Sequence, residues 1–125
     1  IDETYHGKFS LEHKIKGIRL SDFLKKNHPD QLNKLSFIKV DAEGLDTTIL
    51  KSIRDLVEEY KPVVIAECFT GLTPEQRYDL FDTVALPGYR LYKFDDFKDT
   101  APVTAITDKK DMLKWKTFNL YGIHA

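Results

Sequence analysis

Two short apolar runs, Leu35–Asp41 and Val63–Glu67, bracket a stretch in which Leu45, Ile49, Leu50, Ile53, Leu56, Val57 and Tyr60 recur at helical spacing. This pattern constrains the chain more than any other feature. Runs of that length, rich in β-branched and aromatic residues, are strands. The second run has no polar alternation, which predicts a strand buried on both faces of a parallel sheet. The residues between place one apolar stripe along a helix over 45–60, with Asp46 at its positive N-terminal end and Pro62 just past its last turn. Two strands joined through a helix lie parallel, with a right-handed crossover. An α/β fold follows.

The flanking chain extends the alternation. Thr73-Pro74-Glu75-Gln76 is a strong helix start, with a Thr cap, Pro at the first position and Gln at the capping-box position. Tyr78, Phe81 and Ala85 read as its apolar face, and Pro87-Gly88 ends it. Tyr89–Phe94 reads as a strand, Asp95–Asp99 as a charged loop, Asp108–Leu113 as a short helix and Phe118–His124 as a terminal strand. Upstream, Ile18 and Leu20 alternate with polar neighbours over Lys16–Leu20, a short strand, and Ser21 would cap a helix over Asp22–Lys26, stopped before Pro29. Residues 1–13 are polar and unperiodic, a loop or a frayed start. The expected architecture is a mostly parallel sheet with crossover helices and an antiparallel closing strand. No repeat, low-complexity tract or linker divides residues 1–125, so one domain is expected.

Composition excludes several function classes. Nineteen Lys+Arg stand against 20 Asp+Glu, evenly spread, which leaves no basic stripe for nucleic acid and no polybasic patch for a membrane surface. No apolar run approaches the ~20 residues that span a bilayer. The single cysteine, Cys68, excludes an internal disulfide, and no signal peptide opens the chain, so a reducing, cytoplasmic setting is expected. The chain begins at Ile1 and its one methionine is Met112. A complete translation product starts with Met, so a piece of a longer protein is expected.

In open α/β sheets, ligands bind beyond the carboxyl ends of the strands. That rule selects Asp41 with Glu43, and Glu67 with Cys68. Asp41-Ala-Glu43-Gly44 sets two carboxylates two residues apart on a tight strand-to-helix turn, where such a pair suits a general base, a hydroxyl-orienting group or a shared divalent ion with water. The alternative is that one of them merely caps the helix. Glu67 ends an apolar run where the strand leaves the core. Cys68 has no matched histidine and reads as a small buried residue. Lys39 reads as an edge or snorkelling residue. His6, His13, His28 and His124 form no metal-ligand spacing, so no metal is expected through them. Tyr89, Tyr92, Phe94, Phe118 and Tyr121 read as core and cross-strand pairs. The six glycines stand at least ten positions apart, so the chain has no G-x-G phosphate cradle.

Phe37-Ile-Lys-Val-Asp-Ala-Glu-Gly-Leu-Asp46, then Ile49-Leu-Lys51 and Lys61-Pro-Val-Val-Ile-Ala-Glu67, resembles the FkbM family of methyltransferases. Ile18-Arg-Leu-Ser-Asp-Phe-Leu24 is similar to that family's leading segment. The likeness covers residues 18–68 and loosens towards the end of the chain. Leu45-Asp46 stands where the family usually has a small residue and Glu, and Ser52 where Gly is common. The resemblance implies a partial Rossmann-like, class I methyltransferase-type fold, the C-terminal half of an S-adenosylmethionine-dependent enzyme. It also implies O-methylation of a sugar or other small-molecule hydroxyl, with Asp41 and Glu43 catalytic beside the transferred methyl and Glu67 binding substrate. The glycine-rich cofactor motif and the ribose-binding acid of such enzymes have no counterpart here, which leaves the cofactor-binding residues unassigned and the fragment alone inactive. The implied partners are a small-molecule or glycan acceptor and the missing N-terminal half of the same domain. The alternative is a non-catalytic α/β binding or interaction module that has lost the cofactor-binding half.

Overall fold

A computed structural model describes residues 14–125. The expected loop at residues 1–13, with His6 and His13, lies outside them. The elements in chain order are α1 (Leu20–Asn27), a 3-10 turn (Leu32–Lys34), β1 (Phe37–Lys39), α2 (Asp46–Ser52), α3 (Arg54–Tyr60), β2 (Val63–Cys68), α4 (Pro74–Val84), β3 (Tyr89–Phe94), β4 (Val103–Ile106), a 3-10 turn (Lys109–Leu113) and β5 (Phe118–His124). The fold is α/β. The five strands form one sheet in the order β1-β2-β5-β3-β4.

β1 and β2 pair in parallel, with Ile38 beside Val64, as the first two runs predict. The rest of the sheet corrects the expectation of a mostly parallel array. β5 runs antiparallel to both β2 and β3, and β4 runs antiparallel to β3, so the sheet is mixed. The last strand is antiparallel as expected, yet it does not close an edge. It inserts between β2 and β3 and pairs with both, with Phe118 and Leu120 buried in the core on one face. β4 was not expected: Pro102 precedes it and three of its four residues are exposed, the composition of an edge strand.

The predicted strand at Lys16–Leu20 does not form. Leu20 opens α1 instead, and residues 14–19 are exposed and without ladder partners. Two alternating apolar residues make no strand without a neighbour to pair with. The single helix predicted over 45–60 is two, α2 and α3, which meet at Ile53. There Ser52 Oγ donates to the Ile49 carbonyl at 2.6 Å and Ile53 N–H donates to Leu50 at 3.2 Å, a local tightening that ends the first helix. The apolar stripe survives the break: Leu50, Ile53, Leu56 and Val57 are all buried.

The Thr73 capping box forms as its sequence requires. Gln76 N–H donates to Thr73 Oγ1 and Thr73 N–H donates to Gln76 Oε1, at 3.2 and 2.8 Å. The buried face of α4 is not the expected one, however. Arg77, Leu80 and Val84 are buried, while Tyr78, Phe81 and Ala85 are half-buried. An arginine within the stripe hid it. Arg77 Nη1 donates to the Met112 and Trp115 carbonyls at 2.8 and 2.7 Å, and Nη2 to the Lys116 carbonyl at 2.6 Å.

Alternation divides the sheet into unlike faces. Val64, Ala66, Cys68, Leu91, Phe118 and Leu120 join the core residues of α2, α3 and α4. Lys39, Ile65, Tyr121 and Tyr92 stand side by side on the opposite face, and Glu67, Asn119 and Phe94 form the next row. The expected cross-strand aromatic pairs are there, with Tyr92 stacked on Tyr121 at 5.1 Å.

Among the described residues, two carboxylates lend the fold stability that depends on acid pH. Hydrogen bonds from Lys25 and Ser21 hold Asp55 down at about 2, and those from Lys114 and the Asp108 and Thr107 backbone do the same for Asp111, also about 2. Such a group binds its proton less readily folded than unfolded. The stability it lends is complete above the ordinary value of 3.8 and is lost as pH falls towards about 2. Asp55→Asn is therefore expected to lower Tm at neutral pH and to converge on the wild type in acid. Thermal scans across that range check it, and a constant offset down to the acid limit would contradict it.

Candidate active site

The carboxyl ends of β1 and β2 lie side by side, because the two strands are parallel neighbours. After β1 the chain turns through Asp41, Ala42, Glu43 and Gly44 into α2. Glu43 has φ +47° and Gly44 φ +102°, two successive left-handed residues. Glycine takes that conformation freely, but glutamate takes it at some cost. Such strain at a turn facing a strand edge is the kind that functional sites retain.

Neither Asp41 nor Glu43 caps the helix. The residue before α2 is Leu45, whose side chain makes no cap bond, and among the described residues neither carboxylate bonds to the amides of the first turn. The Asp41 side chain is 61% exposed and its Oδ2 accepts from Lys39 Nζ at 3.4 Å. Glu43 is also exposed. The capping alternative thus finds no bond to support it.

Glu67 completes the acidic edge from β2. Burial first, and then the negative charges of Asp41, Asp46 and Glu43, raise its carboxyl above the ordinary carboxylate value, while Lys39 works against them. The structure therefore brings Asp41, Glu43 and Glu67 into one field. Cys68 beside it is fully buried on the other face. Burial pushes its thiol up to about 11, which leaves it an inert core residue.

Sequence reasoning missed two members of this edge. Asp46 was read only as a favourable charge at a helix start, but its side chain is buried and bonded to the backbone of both Ala42 and Glu67. Lys39, on the outer strand as expected, also bridges the site: its Nζ lies 3.4 Å from Asp41 and 5.8 Å from the centre of the Phe97 ring. Phe97 lines a cleft of about 260 Å³ on the Lys39 face of the sheet, together with Ile65, Phe94, Tyr121, Asp96 and Asp99. The i, i+2 spacing of Ile65 and Glu67 on one strand face was the one sequence signal for this neighbourhood. Among the described residues, no group of three His, Cys, Asp or Glu side chains is set to hold a metal ion. Nor is any helix there long and apolar enough to cross a membrane.

The model of the methyltransferase FkbM domain matches residues 2–100. The chain belongs to the FkbM methyltransferase family. No curated protein and no solved structure matches it. The FkbM match takes in β1, β2 and β3 with the acidic turn between them, and ends before β4 and β5. The resemblance carried by Phe37–Asp46 and Lys61–Glu67 is thereby supported on independent grounds.

Proposed function

We propose that this FkbM-family chain is the acceptor-side, C-terminal portion of an S-adenosylmethionine-dependent methyltransferase that methylates a hydroxyl of a sugar or similar small molecule. On this reading the parallel β1-α2-α3-β2 unit is part of a Rossmann-like domain. The observation that carries the reading is the acidic edge: two carboxylates on a strained turn, uncommitted to capping, beside a half-buried third.

Methyl transfer asks a protein mainly to align donor and acceptor and to receive the hydroxyl proton. When bound, S-adenosylmethionine supplies an electrophilic methyl group. The residues here fit the acceptor rather than that donor, since no glycine-rich turn in this chain lets backbone approach a nucleoside. In the proposed site Asp41 accepts the proton that the acceptor oxygen releases, and Glu43 orients the same hydroxyl. Glu67, half-buried at the end of β2, orients the acceptor by a hydrogen bond to a neighbouring hydroxyl. The cleft beside Lys39 offers aromatic surface for the acceptor's ring.

Calorimetric titration tests this directly. The 125-residue chain is expected to bind S-adenosylmethionine weakly or not at all, whereas a full-length protein carrying the glycine-rich turn is expected to bind it and to transfer a labelled methyl group to a hydroxylated acceptor. Micromolar affinity for the 125-residue chain alone would overturn the division of labour. A full-length protein that binds no donor would favour the interaction module instead.

A further inference from the structure

We propose that Asp46 is a positioning residue, a strut that fixes the Asp41–Gly44 turn against Glu67 and so sets the geometry of the acidic edge. The ladder between β1 and β2 runs out just where the site begins. Its last bond is Val40 N–H donating to the Ile65 carbonyl at 2.9 Å. Beyond it β1 turns away into α2, and nothing in the sheet itself keeps the two strand ends together.

Asp46 takes over at that point. Its Oδ1 accepts the Ala42 N–H at 3.1 Å and its Oδ2 accepts the Glu67 N–H at 3.0 Å. Ala42 lies between the two proposed catalytic carboxylates, and Glu67 is the third member of the edge. One side chain therefore ties together the backbone at both halves of the site. It is only 2% exposed, so it contacts solvent and acceptor little and acts through what it holds.

The residue type follows from the geometry. Both partners are donors, so the strut needs two acceptors on one rigid fork, which an ionised carboxylate has and an amide lacks. A buried charge is costly, and here two backbone N–H groups and the N-terminal end of α2 offset it. Asn is isosteric but would turn its NH2 group towards one of the two N–H groups, leaving that donor unpaired.

The consequence for turnover rests on the methyltransferase reading, whereas the strut itself does not. Asp46→Asn is expected to speed amide exchange at Ala42 or Glu67, and in the full-length enzyme to lower kcat about tenfold to a hundredfold with the donor KM unchanged. Leu50→Ala, a core truncation on the same helix, is the control. It loses stability without touching either bond, and is expected to keep kcat below its melting range. A folded Asp46→Asn whose two amides exchange as in Leu50→Ala, or whose kcat equals that of an active wild type, would overturn the proposal. If the wild type transfers no methyl group, the functional reading falls and exchange alone judges the strut. Should Asp46→Asn not fold, Asp46→Glu keeps both acceptor oxygens and is expected to protect both amides. Free exchange at both sites in folded Asp46→Glu would overturn the strut.

Discussion

Asp41→Asn in the full-length protein is expected to lower turnover about 10²-fold or more, the lower end of what a general base contributes, and to leave the fold untouched. The separation is unusually clean at this position. Asn caps a helix about as well as Asp, so a capping role would survive the exchange. Among the described residues Asp41 makes no cap, and its ion pair with Lys39 is exposed. Pairs of that kind contribute less than about 1 kcal/mol. The substitution keeps the shape of the side chain and removes only its charge and basicity. Steady-state kinetics beside a thermal melt checks both halves. Undiminished turnover with an unchanged melt would remove Asp41 from the chemistry and leave the turn a structural feature.

Arg77→Ala is expected to be strongly destabilising, at about 3–5 kcal/mol, since hydrogen bonds to a charged donor contribute about 1.5–3 kcal/mol each and losses within one network add only in part. Arg77 is 6% exposed and its guanidinium holds the carbonyls of Met112, Trp115 and Lys116. Truncation leaves those three acceptors to find new partners and opens a cavity beneath α4. For a domain of this size the loss corresponds to a fall in Tm of about 10–20 °C. Arg77→Lys is expected to recover only part of it, since an ammonium on a single tip cannot reach three carbonyls arranged around a planar fork. Arg54→Ala, which removes an exposed pair with Glu58 on α3, serves as the comparison and is expected to cost under about 1 kcal/mol. Denaturant melts of the three variants decide the matter. Equal losses for Arg77→Ala and Arg54→Ala would show that the carbonyl network carries no stability.

These two residues also mark how far the sequence reads on its own. The turn that carries Asp41 was legible because its signal is local: a strand, a two-residue carboxylate spacing and a glycine are contiguous in the chain. The parallel β1-β2 pair and the Thr73 cap were legible for the same reason, since periodicity and capping act over one or two turns. Arg77 was not, because its partners lie 35 to 39 residues away. A charged residue in a helix pattern is taken for a solvated one unless those carbonyls are known to face it.

The amino-acid sequence by itself determined the α/β class, the strand-helix-strand unit and the acidic turn, all of which follow from backbone preferences and apolar spacing within about 30 residues. The tertiary structure alone decided that β5 enters the middle of the sheet, that β4 exists, and that Lys39, Asp46 and Phe97 lie beside the acidic turn. The physical reason is one of range. Strand order depends on contacts between distant parts of the chain: β5 pairs with both β2 and β3, Phe118 and Leu120 are buried in the core, and Arg77 holds the 112–116 segment that leads into β5. Likewise a lone Asp at a helix start becomes a strut only after the parallel pair has brought the Glu67 amide to within 3.0 Å of it.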